Sequence, residues 1–100
     1  MKVRYTAESQ ALVRKERSRW RKYRDSKGLF DEELEEARKY LASGPKTAVY
    51  GILGGKPVRK YQLPKCKVHL FYVIYEELDL VRIVTVWGSR RGDPPAFDDE

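Results

Sequence analysis

The residues able to do chemistry in this sequence are mostly basic, and they come in groups. Lys56, Arg59 and Lys60 share the stretch "KPVRKYQ", Lys65 and Lys67 flank Cys66, and Arg90 and Arg91 stand together after "VTVWGS". A guanidinium grips phosphate or carboxylate with two parallel hydrogen bonds, and an ammonium adds a mobile point charge. If the strands bearing these groups pair in antiparallel fashion, the cations can converge on one side. Such a cluster suits phosphate, and equally a carboxylate-rich peptide or plain surface charge. His69 is the only histidine. It fits a hydrogen-bonded structural role in a strand better than a general acid or base. A lone histidine excludes paired-histidine metal sites, and nothing brings a serine and an acid to it. Cys66 is the only cysteine, so neither an intrachain disulfide nor a cysteine metal cluster is open to the chain. It reads as a small packing residue between two lysines. Gly54-Gly55-Lys56 is no phosphate loop, because it joins two strands and opens no helix. No cofactor motif is present.

The elements that position these groups follow from periodicity. "MKVRYT" alternates, with Val3 and Tyr5 on one face, and predicts a short strand. Thr6 caps a helix predicted from Ala7 to about Asp25, with Glu8 near its positive end. Its apolar face is thin: Leu12, Val13, Trp20 and Tyr23. Residues 1–28 carry ten basic and three acidic side chains. After "DSKG", the stretch "LFDEELEEARKYLASGP" predicts a second helix. Phe30, Leu34, Ala37 and Leu41 form one face, acids fill the first turns, and Gly44-Pro45 stops it. The early carboxylates read as a solvated, dipole-favoured face. Beyond Pro45 the period changes to two. Gly54-Gly55 turns a hairpin between "KTAVYGIL" and "PVRKYQL". "KVHLFYVIY" is apolar on both faces, as a central strand is. After a turn near Glu76–Asp79 comes "LDLVRIVTVW", with Val81, Ile83 and Trp87 assigned to one face, against a helix. Pro94-Pro95 ends the ladder. The fold class is therefore α+β: a short N-terminal strand and an antiparallel helical hairpin on a twisted antiparallel sheet, β-α-α followed by three or four strands. Residues 1–95 form a single domain and 96–100 an acidic, mobile tail.

The chain has 100 residues, 41% of them apolar, enough for one modest core and too apolar for a disordered chain. The formal charge of +6 points to a polyanion or an acidic protein as partner. No stretch resembles a signal peptide, and no apolar run approaches the roughly 20 residues of a membrane span. A cytoplasmic location without a membrane partner is the expectation.

Taken in order, the β-α-α start and "GKPVRKYQLPKCKVHLFYVIYEELDLVRIVTVWGSRR" resemble the ParE/RelE superfamily of toxins from bacterial type II toxin–antitoxin systems. The likeness covers about residues 2–95. It rests most on "VRKYQL", "VHLFYVIYEE" and "VTVWGSRRGDP". The resemblance implies a hetero-oligomer with a cognate antitoxin, an acidic and partly disordered protein that wraps the toxin. Its helix is expected to complete the apolar surface near Leu12, Trp20 and Tyr23. The resemblance also implies a target-facing groove bordered by the last strand, with Lys56, Arg59, Lys60, Arg90 and Arg91 as target-binding residues. RelE-like members cut messenger RNA on the ribosome with basic residues and often a late tyrosine; ParE-like members are similar to inhibitors of DNA gyrase. Here Lys60 and Arg90 stand at RelE-type basic positions. Gln62 stands where a second lysine is expected, His69 replaces an arginine, and after Arg91 there is Phe97 but no tyrosine. Phe97 cannot move a proton. The set is incomplete for RNA cleavage, and the "VWGSRR" ending looks ParE-like. The implied function is a non-enzymatic gyrase inhibitor. The alternatives are a ribosome-dependent mRNA endonuclease using Lys60, His69 and Arg90, and a non-toxic basic nucleic-acid-binding module.

Overall fold

The computed structural model describes residues 1–23, 28–88, 92 and 95–97. Strand β1 is Lys2–Tyr5, helix α1 Ala7–Tyr23 and helix α2 Leu29–Leu41. Strands β2 (Val49–Leu53), β3 (Lys56–Gln62), β4 (Val68–Tyr75) and β5 (Leu80–Gly88) follow, with a short 3-10 turn at Glu76–Leu78. The architecture is α+β, two helices packed on a five-stranded sheet of order β1-β5-β4-β3-β2. Among the described residues, no helix is long and apolar enough to cross a membrane.

Thr6 starts α1 as its type predicts: its Oγ1 accepts from the Ser9 N–H at 3.1 Å. The Ser9 hydroxyl, fully buried, donates to the Ile83 carbonyl at 2.8 Å. The start of the helix is thereby bolted to β5. In α2 the stripe Phe30, Leu34, Ala37 and Leu41 is buried as its spacing requires. It meets Val68, Leu70, Tyr72, Val81, Ile83 and Val86 from the sheet, and Leu63 from the β3–β4 connection, in the main core. Strand β4 occupies the middle of the sheet, and Leu70, Phe71, Tyr72 and Val73 are all buried in it. Gly54 and Gly55, both at positive φ, make the β2–β3 turn where the sequence places it.

Three expectations need correction. The sheet is mixed: β2 to β5 are antiparallel, but β1 pairs with β5 in parallel, with Val3 opposite Val81 and Tyr5 opposite Ile83. Alternation reveals a strand without its direction. Here the direction is set by α1, which begins one residue after β1 and is held at Ile83, where the Thr6 N–H also bonds at 3.1 Å. Trp87 does not share a face with Val81 and Ile83. The β4–β5 register slips between Phe71 and Tyr72, which pair with Thr85 and Ile83, so that Val84 is an extra residue. A bulge of this kind reverses the phase of everything after it. Val86 takes the helix side, while Trp87 joins Val84 on the opposite face.

Glu33 is the third correction, because it does not belong to the solvated face of α2. It is 8% exposed and accepts from the Lys65 N–H, 3.0 Å from Oε2, and from the Cys66 N–H, 3.0 Å from Oε1. Helix α2 thus holds the β3–β4 connection, where Lys67 adopts φ 60°.

Candidate functional site

The helices cover one face of the sheet and leave the other to a small second core of Val58, Phe71 and Val73. Tyr50, Leu53, Tyr75, Val84, Trp87 and Phe97 pack around it. On this open face, cations alternate with rings. Lys60 is cross-strand neighbour to Phe71 and Gln62 to His69, which in turn faces Trp87. The Lys60 ammonium lies 5.4 Å from the centre of the Tyr50 ring. Lys56 Nζ and the Arg82 guanidinium approach the Tyr75 ring at 5.2 and 5.3 Å. A cation held over an aromatic face keeps its charge forward while its stem adds to the apolar floor.

His69 is built into this row. Its ring lies 5.1 Å from Trp87 and 6.3 Å from Phe71, both tilted by 35°. Its Nδ1 and the Trp87 Nε1 are buried without a hydrogen-bond partner among the described residues. Desolvation, helped by the charge of Lys60, pushes its pKa below the ordinary value of 6.5. The imidazole is therefore neutral at pH 7.

The end of the chain returns to this face. Phe97 packs 5.5 Å from Phe71 and 6.1 Å from Tyr50, and its carbonyl accepts from the Ile52 N–H at 2.7 Å. The Tyr50 hydroxyl donates to the Pro95 carbonyl at 2.6 Å. Gly51 admits this crossing, since a Cβ there would collide with the Phe97 carbonyl. Phe97, assigned by composition to the mobile tail, is thus held against the sheet.

The basic residues singled out from the sequence are not all brought together. Lys60 points to the open face near His69. Lys56 shares that face but begins β3, at the far end of the strand from Lys65 and Lys67, and is paired with Glu77 at 3.4 Å. Arg59 sits opposite Tyr72, a residue of the helix-side core, and its guanidinium donates to the Thr47 carbonyl. Arg90 and Arg91 lie outside the described residues. Arg82 was missed as a site residue; its signal was its place in alternation with the apolar residues of β5. Of the expected antitoxin contacts, Leu12 and Trp20 are half-buried and pack against the main core. The Tyr23 side chain is outside the described residues. A groove of about 440 Å³ is lined by Tyr5, Val13, Arg14 and Leu34 and by two ion pairs, Arg17–Asp31 and Arg38–Glu35; Leu12 and Trp20 are not among its lining residues.

The open face can hold a partner by charge and by aromatic stacking. Among the described residues, no cluster of histidine, cysteine and acidic side chains could hold a metal ion. Comparison with known protein families, curated proteins and solved structures finds no match.

Proposed function

We propose that this chain is a toxin of the ParE/RelE kind that acts by binding rather than by catalysis, with DNA gyrase as its target. The carrying observation is the setting of His69. The one imidazole of the face is packed between Phe71 and Trp87, with Nδ1 buried and unpartnered. RNA cleavage needs a base at a 2′-hydroxyl and stabilisation of the leaving oxygen. A ring wedged in an aromatic row serves neither need well. Cations interleaved with rings serve binding: Lys56, Lys60 and Arg82 with Tyr50, Tyr75 and Trp87. The α+β arrangement, two helices on one face of a five-stranded mixed sheet, is compatible with the broad fold class that the resemblance implies. The antitoxin, an acidic protein, docks a helix in the groove at Tyr5, Val13 and Leu34, steered by Arg14 and the basic surface of α1.

One observation favours a second reading, the ribosome-dependent mRNA endonuclease. The charge of Lys60 reaches His69 and helps keep it neutral, the state a general base requires. The two readings part in one experiment. Purified protein is added to a gyrase supercoiling reaction and, separately, to translating ribosomes. Inhibition of supercoiling is expected, relieved by Lys60→Gln with Arg82→Gln and indifferent to His69→Gln. Codon-position cuts in messenger RNA with supercoiling unaffected would overturn the gyrase reading.

A further inference from the structure

Helix α1 carries a charged surface that the open face does not use. Its inner side is buried at Ser9, Val13 and Glu16. Its outer side bears Arg14, Arg17, Ser18, Arg21 and Lys22, which line a shallow groove of about 510 Å³. At 100° per residue these positions fall within one arc, centred opposite Glu16. From Arg14 to Arg21 the arc runs for about 10 Å at 1.5 Å per residue, about three phosphate steps along one strand of a DNA duplex. Arg17 is tied through Nε to Asp31 at 2.7 Å, which fixes its guanidinium and leaves its terminal nitrogens to a further acceptor. Ser18, exposed in the middle of the arc, adds a neutral donor.

We infer that this outer face of α1 is a sequence-independent binding surface for the phosphate backbone of duplex DNA. The lining decides between polyanions. An acidic protein helix needs apolar anchors, and the neighbouring groove supplies them in Tyr5, Val13 and Leu34. Among the described residues the outer groove has none: those that line it are arginines, a lysine and a serine. That inventory matches phosphate, which asks only for charge and hydrogen-bond donors. The choice of DNA over duplex RNA rests on the gyrase reading above; the recognition of phosphate does not. The surface lies on the helix side of the sheet, so DNA and the proposed target would contact opposite sides of the molecule.

The test is fluorescence anisotropy with the whole chain and no gyrase, so its result is independent of the supercoiling assay. The probes are 20-base-pair DNA duplexes of two unrelated sequences, a matched RNA duplex and poly-glutamate. Equal binding of both DNAs is expected. With about three phosphates neutralised, by Arg14, Arg17 and Arg21, log Kobs should fall with log salt at a slope of about −2.7, a loss of about 40-fold between 50 and 200 mM. The double variant Arg14→Gln, Arg21→Gln should flatten that slope by about 1.8 and melt like the parent, because both side chains are exposed. Lys39→Gln, on α2, should change neither. Four results would overturn the inference: an unchanged slope in the double variant, tighter binding of poly-glutamate than of DNA, a preference for RNA, or loss of DNA binding only on substitution of Lys60 and Arg82.

Discussion

Replacing Glu33 by alanine should be among the most damaging single changes on α2, although the sequence places it in an acidic, helix-surface run. Its carboxylate accepts two backbone donors across a sequence gap of more than thirty residues, Lys65 N–H at 3.0 and 3.2 Å and Cys66 N–H at 3.0 Å. A hydrogen bond to a charged group contributes about 1.5–3 kcal/mol, and a buried donor left without an acceptor costs a similar amount. The Cys66 N–H is buried and should lose the full amount. The Lys65 N–H is nearer solvent and recovers part of its loss from water. A total of about 3 kcal/mol follows, a large part of the roughly 5–15 kcal/mol that holds a small domain together. For a domain of this length that is a drop of about 12–24 °C in Tm. Glu33→Gln keeps one carbonyl oxygen for Cys66 and should fall in between. Glu36→Ala is the control: its pair with Lys39 spans 3.7 Å between side chains 73% and 60% exposed, and should change stability by less than about 0.5 kcal/mol. The assay is thermal unfolding followed by far-UV circular dichroism. A Glu33→Ala protein melting within about 4 °C of the parent would refute the view that this carboxylate clamps the β3–β4 connection.

Two further outcomes follow from the open face. Trp87→Ala should cost about 2 kcal/mol, roughly half of the 3–5 kcal/mol expected for a fully buried ring, since Trp87 is half-buried beside His69; a cost above about 4 kcal/mol in urea unfolding would return it to a place beneath a helix. His69 should make stability depend on pH with a definite sign. Its folded pKa lies below the ordinary 6.5, so between the two values the unfolded chain binds the extra proton. The stability is complete above pH 6.5 and falls as pH drops through the folded pKa. His69→Gln should remove that decline, leaving the losses from Glu35 and Glu76, whose lowered pKa values act below about 4.5; an equally steep decline in the variant between pH 6.5 and 5 would refute the assignment.

Much of the architecture was legible in the residues themselves. Thr6 before an apolar helical period, the Phe30–Leu34–Ala37–Leu41 stripe, Gly54-Gly55 between alternating segments, and a β4 apolar on both faces are local signals. Local physics fixes their meaning: cap geometry, the 3.6-residue turn, glycine at positive φ and burial on two sides. The cations of the candidate site were visible for the same reason, as residue types. Their company was not. Which face Trp87 occupies depends on one extra residue at Val84, and an alternating pattern of mixed Val and Thr carries no mark of a bulge. The parallel pairing of β1 depends on Ser9 and Thr6 reaching Ile83 at the other end of the chain. The helical period brings Glu33 to the edge of the apolar stripe, three residues after Phe30 and four before Ala37, and Glu32 to the far side, but whether the Glu33 carboxylate faces water or the β3–β4 connection depends on where that connection passes. Side-chain type is a property of the sequence, whereas register, strand direction and the partners of a buried charge arise from long-range contacts that only the folded chain brings together.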